Sequence, residues 1–197
     1  MMPEINAPAP EPVVAPGLPP PAAVVVMGVA GCGKSSLAEA VGAELGWPVI
    51  EGDDFHGAHN KALMQAGIAL TDADRAGWLD ALAVELSGHP GGVLLSCSAL
   101  KRAYRERLRR ARPGLRFLYL DLDEAAAQAR VQARALGHFF PPTLVRSQFA
   151  ALEPPTAEPG VLRLDALQSP AALREAALAW LAQVPRGPSE PNEESTP

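Results

Sequence analysis

The stretch Gly28-Val29-Ala30-Gly31-Cys32-Gly33-Lys34-Ser35 decides the fold of this chain. It matches G-x-x-x-x-G-K-[ST], a loop whose glycines let successive backbone N–H groups turn toward phosphate oxygens. An apolar run precedes it and a helical pattern follows it, so the positive N-terminal end of a helix adds to the anion site. Lys34 is placed to reach the terminal phosphates, and Ser35 to bind Mg²⁺ through its hydroxyl. We expect ATP to contact Gly28, Val29, Ala30, Gly31, Cys32, Gly33, Lys34, Ser35 and Ser36.

Composition restricts the class of protein. The chain has 197 residues, 48% hydrophobic and 20% charged, which predicts one ordinary globular domain. Its net charge of −5 lies largely in the two ends, and the near-neutral body argues against a nucleic acid or membrane partner. The N-terminus lacks the pattern of a signal peptide. Cys32 and Cys97 form no disulfide framework, so we expect reduced thiols in a cytoplasmic protein.

Strand and helix patterns alternate along the middle of the chain, which predicts an α/β domain with a mostly parallel, five-stranded sheet. The domain is expected at 22–184, between a disordered Pro/Ala-rich arm at 1–21 and a disordered acidic tail at 185–197. Thr71 with Asp74 resembles a capping box, Ser98 is a candidate cap, and Ser169-Pro170 also marks a helix start. The predicted strands cover 22–27, 48–51, 93–97, 115–120 and 161–164. The predicted helices cover 36–45, 58–66, 72–86, 99–112, 123–136, 143–152 and 170–184.

Candidate catalytic residues follow the second predicted strand. Ligands of parallel sheets bind at the carboxyl ends of the strands, which brings the loops 28–35, 51–60 and 97–101 together. Asp53, favoured over Asp54, is placed to accept the proton of a substrate hydroxyl or to hold the metal through water. The alternative is that the two aspartates have no catalytic role and only hydrogen-bond the backbone of their own turn. We expect His56 to hydrogen-bond a polar substrate, since its spacing to His59 matches no zinc signature.

Basic residues supply the remaining candidates. Lys101 and Arg105 lie one helical turn apart beside the expected site, where they suit an anionic group of the substrate. The later arginines of that run are expected on a solvated face. Arg130 and Arg134 precede the loop at 137–142. Two interpretations stay open for this pair: it closes over the phosphates and stabilises the transferring charge, or it simply favours the C-terminal end of a helix.

Three runs of the sequence resemble the gluconate kinases. They are Gly52-Asp53-Asp54-Phe55-His56 with Leu70-Thr71-Asp72-Ala73-Asp74-Arg75, Cys97-Ser98-Ala99-Leu100-Lys101-Arg102, and Gly137-His138-Phe139-Phe140-Pro141-Pro142 with Ser147-Gln148-Phe149. The resemblance covers about residues 23–184. It implies phosphorylation of D-gluconate to 6-phosphogluconate by ATP with Mg²⁺, a three-layer P-loop kinase fold with a helical lid, and often a homodimer.

The resemblance also implies roles for single residues. Lys34 and the loop up to Ser35 would bind ATP, and Asp53 would act on the reacting hydroxyl. Arg130 or Arg134 would belong to the lid. The residues implied near gluconate are His56, Lys101, Arg105 and His138.

The chain departs from the family pattern at several positions, and these departures keep alternatives open. Gly57, Ala69 and Gly77 stand where the family usually has proline, and Leu63 stands where it usually has lysine. The segment before Gly137 is one residue longer and lacks a basic residue. A kinase of shikimate, adenylylsulfate or a nucleoside, or a weakly catalytic nucleotide-binding regulator, remains an alternative. A nicotinamide-dependent oxidoreductase fits the glycine spacing, but its fingerprint makes no use of Lys34-Ser35.

Overall fold

The computed structural model describes residues 23–134 and 142–183. Within them, five strands form one sheet in the order β2-β3-β1-β4-β5, and every neighbouring pair is parallel. This confirms the α/β prediction, because parallel neighbours require helical crossovers on the faces of the sheet. The strands are β1 Ala23–Met27, β2 Val49–Glu51, β3 Val93–Ser96, β4 Arg116–Asp121 and β5 Val161–Asp165.

The helices lie near their predicted positions, and a 3-10 turn, Gly52–Phe55, follows β2. The exception is the start of the fourth helix, which begins at Arg102 rather than at Ala99. Ala99 has a φ of +43°, a backbone conformation that cannot continue a right-handed helix, so Ser98 does not act as its cap. The helices are α1 Lys34–Leu45, α2 Ala58–Gln65, α3 Asp72–Ser87, α4 Arg102–Ala111, α5 Glu124–Arg134, α6 Pro142–Ala151 and α7 Pro170–Leu181.

The central strand β1 divides the core into two apolar layers. Val24 and Val26 belong to one cluster, whose helical members include Leu37 and Val41 of α1, Ala127 of α5 and Leu181 of α7. Val25 and Met27 belong to the other, together with Leu79 and Leu82 of α3 and Leu108 of α4. Alternate side chains of a strand point to opposite faces, so β1 is buried on both sides and appears in the sequence as a continuous apolar run.

Helix caps confirm two of the start signals in the sequence. The Asp74 backbone N–H donates to Thr71 Oγ1 at 3.2 Å, and the Thr71 N–H donates to Asp74 Oδ2 at 2.8 Å, which completes the capping box. Ser169 Oγ accepts from the Ala172 N–H at 3.2 Å, with Pro170 in the first helical position. These caps fix where α3 and α7 begin.

Several predictions fall outside the described residues. They are the arm at 1–21, the tail at 185–197, and the loop with its helical lid around His138. No helix in the two described ranges is long and apolar enough to cross a membrane.

Candidate active site

The loop at 28–35 connects β1 to α1 in a conformation that requires glycine. Gly28 has a φ of +141°, and a Cβ there would lie 2.7 Å from the Leu120 carbonyl oxygen. Gly33 has a φ of +102° and directly precedes the first residue of α1. The sequence therefore places the N-terminal end of α1 at the loop, where its free N–H groups favour a phosphate.

Neighbouring segments hold the loop in place. The Gly28 N–H donates to the Ser98 carbonyl at 3.3 Å, and the Ala30 N–H donates to Gln148 Oε1 of α6 at 2.6 Å. Lys34 Nζ donates to the Val29 carbonyl at 3.2 Å. Cys32 is buried, and desolvation raises the pKa of its thiol despite the nearby Lys34 cation. Cys32 is therefore a neutral packing residue of the loop rather than a nucleophile.

A cavity of about 580 Å³ opens over the loop. Its walls bring together predicted residues from the loop after β1 and from the turn after β2, as the parallel topology requires. Arg75 of α3 and Gln148 of α6 also line it, although neither residue was predicted to have a role. The predicted residues in its wall are Ala30, Gly31, Gly33, Lys34, Ser35, Ser36, Asp53 and His56.

Glu51 is a site residue that sequence reasoning missed. It ends β2 and accepts two hydrogen bonds, from Ser35 Oγ at 2.6 Å and from Ser96 Oγ at 2.9 Å. Its carboxylate thus links the first turn of α1 to the ends of β2 and β3. The available signal was its position: a carboxylate at the carboxyl end of a strand beside the phosphate loop.

Oxygen ligands in this part of the cavity suit Mg²⁺. The Ser35 hydroxyl and the carboxylates of Glu51 and Asp53 line the same cavity, and hard cations prefer such groups. No group of three or more His, Cys, Asp or Glu in the described part of the chain is arranged to hold a metal by itself. This donor set fits an ion that is shared with nucleotide phosphates and keeps several waters.

Asp53 lies on the 3-10 turn after β2 with its side chain 74% exposed. Its Oδ1 lies 4.0 Å from His56 Nε2. Because the carboxylate faces the cavity and is free of a closer ion pair among the described residues, it is accessible to a hydroxyl group of a bound molecule.

His56 is buried against Trp78, and their rings stack with centroids 4.4 Å apart. The Trp78 indole N–H donates to the Gly52 carbonyl at 2.7 Å, which ties α3 to the turn. Asn60 Nδ2 lies 3.5 Å from His56 Nδ1. Desolvation lowers the pKa of His56, opposed in part by Asp53, so the imidazole is neutral at neutral pH. His59 does not join it, since its side chain is 75% exposed and lies 3.9 Å from Asp74.

Lys101 lies beside the main cavity rather than in its wall. Its Nζ donates to both carboxylate oxygens of Asp72, at 2.6 and 2.9 Å, and the Tyr104 hydroxyl donates to the same carboxylate. These hydrogen bonds lower the pKa of Asp72. Lys101, Asp72 and Tyr104 line a side cavity of about 210 Å³, whose wall also contains Arg75. The expectation that Lys101 contacts the substrate directly stays a prediction.

Arg105 corrects a prediction, because its guanidinium is not available to a substrate. The residue is only 1% exposed. Nη1 donates to the carbonyls of Ala99 and Leu100, both at 2.9 Å, while Nε and Nη2 bind the Glu158 carboxylate. Nη2 also donates to the Glu153 carbonyl at 2.9 Å. Arg105 therefore fixes the β3–α4 loop to the segment before β5 and is a structural residue.

Arg130 contacts the phosphate loop at Gly31. Its Nη1 lies 3.5 Å from the Gly31 carbonyl, and its Nη2 donates to the Ala166 carbonyl after β5 at 2.9 Å. Arg130 therefore bridges two segments at the carboxyl edge of the sheet. The side chain of Arg134 and all of His138 lie outside what the structure describes, so their predicted roles are untested.

The fold and the cavity define the class of protein, the P-loop small-molecule kinases. The chain is an α/β protein with a phosphate loop at the edge of a parallel sheet and an open cavity beside that loop. Residues 24–155 match the family model described as an AAA domain. The gluconokinase of Gluconobacter oxydans is 42% identical, with 76% of this chain and 85% of that protein covered. The thermosensitive gluconokinase of Escherichia coli is 43% identical over 72% and 77%. The chain belongs to the gluconokinase family, and its class uses ATP.

Solved structures agree with this assignment. A gluconokinase from Sinorhizobium meliloti superposes with a TM-score of 0.76 at 44% identity, covering 82% of this chain and 92% of that one. A sugar kinase from a Janibacter species gives 0.78 at 42% identity, covering 82% and 95%. An APS kinase from Mycobacterium tuberculosis, 20% identical with a TM-score of 0.61, shares the fold.

Proposed function

We propose that this chain transfers the γ-phosphoryl group of ATP to the terminal hydroxyl of D-gluconate and releases 6-phosphogluconate and ADP. One observation carries the proposal. The wall of a single cavity contains both the phosphate loop with Lys34 and an exposed carboxylate, that of Asp53. In-line phosphoryl transfer needs a phosphate cradle and a group that receives the hydroxyl proton in one site.

The phosphate side of the cavity holds and neutralises the nucleotide. The backbone N–H groups of the loop and the N-terminal end of α1 bind the phosphates, and Lys34 stabilises charge that develops on the transferring group. Arg130, together with Arg134, whose side chain lies outside what the structure describes, is proposed to add positive charge from the side of α5. The sequence resemblance further implies that a helical lid, to which Arg130 or Arg134 belongs, closes over the phosphates.

The acceptor side orients and deprotonates the hydroxyl. The hydroxyl oxygen forms a bond to the γ-phosphorus as the bond from that phosphorus to the β–γ bridging oxygen breaks, and the proton passes to Asp53. The neutral imidazole of His56 holds the polyol by hydrogen bonds. Lys101 and His138 are proposed to complete the acceptor side.

Mg²⁺, when bound, neutralises charge on the β- and γ-phosphates. Ser35 would hold it through the hydroxyl oxygen, with Glu51 orienting that hydroxyl and Asp53 acting through water. A cytoplasmic location, which we expect from the two cysteines, and a homodimer, which the resemblance implies, complete the proposal and stay predictions.

The test is release of ADP by the purified protein with ATP and Mg²⁺, measured across gluconate, shikimate, adenylylsulfate and nucleosides. We expect turnover with gluconate and background rates with the others. Lys34→Ala is the matched inactive variant, because the phosphates lose their cation. Turnover with another acceptor alone, or near wild-type turnover in Lys34→Ala, would contradict the proposal.

A further inference from the structure

We infer that Arg75 binds the carboxylate of the acceptor and thereby selects an aldonate over a neutral polyol of the same length. This inference rests on the proposed function and assigns its acceptor specificity to a side chain. Arg75 lies in the first turns of α3 and is half-buried. It lines both the main cavity and the side cavity, so it stands at their junction.

Among the described residues, Lys34 and Arg75 are the only cations in the wall of the main cavity. Lys34 belongs to the phosphate loop, where it pairs with the terminal phosphates of the nucleotide. Lys101 is paired with Asp72, and Arg105 is buried on Glu158. Of the cations that the structure describes in this wall, Arg75 is therefore the one left for an anionic acceptor.

The surroundings of Arg75 leave its guanidinium without a carboxylate partner. Two carboxylates of the first turn of α3 lie close along the chain, but both are already bound elsewhere. Asp72 accepts from Lys101 and Tyr104, and Asp74 accepts from the Thr71 N–H and Oγ1 at 2.8 and 2.6 Å. In the part of the chain that the structure describes, Arg75 forms no ion pair, and its guanidinium carbon lies 6.0 Å from the Tyr104 ring centroid.

The chemistry of the guanidinium matches a carboxylate better than a hydroxyl. Its planar fork donates two parallel hydrogen bonds to the two oxygens of one carboxylate, whereas a hydroxymethyl group offers a single neutral oxygen. A neutral polyol would displace water from Arg75 without supplying a counter-charge. A site built in this way discriminates strongly against the uncharged analogue, because the guanidinium would then lack a charged partner.

The experiment compares D-gluconate with D-glucitol, which carries a hydroxymethyl group in place of the carboxylate. The measured quantity is the ratio of the two kcat/KM values. In Arg75→Ala we expect kcat/KM for gluconate to fall about 100-fold, mainly through KM, while the value for glucitol changes little. Arg75→Lys should recover part of the loss, since it keeps the charge without the fork. Arg110→Ala, at an exposed arginine of α4 that lines neither cavity, should keep the wild-type ratio.

Ligand-induced shifts of the melting temperature give a second readout that does not depend on turnover. We expect Arg75→Ala to keep the shift caused by ATP, which demonstrates a folded nucleotide site, and to lose the shift caused by gluconate. Equal losses for gluconate and glucitol in Arg75→Ala would overturn the inference, as would a collapse of the ratio in Lys101→Ala with the ratio intact in Arg75→Ala. A wild-type protein inactive on gluconate would instead overturn the proposed function.

Discussion

Ser35 and Glu51 are joined by a hydrogen bond of 2.6 Å from Ser35 Oγ to Glu51 Oε2. The carboxylate also accepts from Ser96 Oγ at 2.9 Å, so its two oxygens are fixed by two different segments. Because the Ser35 hydroxyl donates its hydrogen bond to Glu51, the lone pairs of the hydroxyl oxygen stay available to a metal ion. Glu51 is therefore placed to orient the hydroxyl that the motif assigns to Mg²⁺.

Glu51→Gln should make the enzyme less responsive to Mg²⁺. The amide keeps the size of the side chain but loses the charge and one acceptor, so Ser35 is held less firmly. We expect a rise of about 10- to 100-fold in the Mg²⁺ concentration for half-maximal rate, measured at saturating gluconate and a fixed ATP concentration. Ser96→Ala keeps the carboxylate and should have a smaller effect. An unchanged Mg²⁺ titration in Glu51→Gln would remove Glu51 from the metal site.

Asp53→Asn should lower kcat by about 10²- to 10⁴-fold, because an amide cannot accept the proton of the acceptor hydroxyl. The affinity for ATP, measured by equilibrium binding, should stay close to wild type. Asp54→Asn is the matched control, since Asp54 carries the same charge at the next position and does not line the cavity. If Asp53→Asn weakens ATP binding and leaves kcat intact at saturation, Asp53 serves the metal instead.

Local patterns predicted the fold well. Three helix starts are each determined by a pattern only a few residues long. These patterns are the phosphate loop, the Thr71 capping box and the Ser169 cap. The strands were recognisable because a parallel sheet covered on both faces leaves continuous apolar runs. The start of α4 was misplaced because the positive φ of Ala99 is held by the carbonyl contacts of Arg105, which no local pattern encodes.

The candidate site was less predictable, because the partner of a charged side chain lies far away along the chain. Arg105 looked like a substrate ligand, but Glu158, 53 residues later, binds it in the interior. Arg75 and Glu51 sit in elements whose cavity-facing side depends on how helix and strand are packed. The order of strands and helices predicts which loops lie together at the edge of the sheet. Which side chains of those loops line the cavity depends on the three-dimensional packing.

His56 should make the folded protein less stable as the pH falls below about 6.5. Burial lowers the pKa of His56 from 6.5. Just below pH 6.5, His56 is therefore protonated in the unfolded chain but stays neutral in the folded protein. The free energy of unfolding therefore declines with falling pH, by at most about 1.4 kcal/mol per pH unit from this group, until the lowered pKa is reached. Above pH 6.5 the imidazole is neutral in both states and the effect vanishes.

The measurement is the difference in unfolding free energy between pH 7.5 and 5.5, by urea titration. His56→Asn should show a smaller difference than wild type, because the group that titrates only in the unfolded chain is gone. His59→Asn, at an exposed position, should keep the wild-type difference. Identical pH dependence in wild type and His56→Asn would contradict this assignment.

Glu158 should be among the side chains on which stability depends most. Burial alone would raise its pKa, but the hydrogen bonds and the positive charges of Arg105 and Arg109 together outweigh burial and lower the pKa, so the carboxylate is ionised between two arginines. Glu158→Gln leaves the buried Arg105 cation without a counter-charge, which costs about 3–5 kcal/mol of unfolding free energy. Arg102→Ala breaks an exposed pair with Glu106 on the same helix and should cost under about 1 kcal/mol.

A second comparison separates the uncompensated charge from lost packing. Arg105→Met removes the buried cation and keeps most of the side-chain volume, while Arg109 still neutralises Glu158. We expect the double variant Arg105→Met with Glu158→Gln to lose less stability than the sum of the two single variants, since the pair is then removed together. Strict additivity in urea unfolding would mean that the two side chains act independently, and would contradict the role of Arg105 as the partner of Glu158.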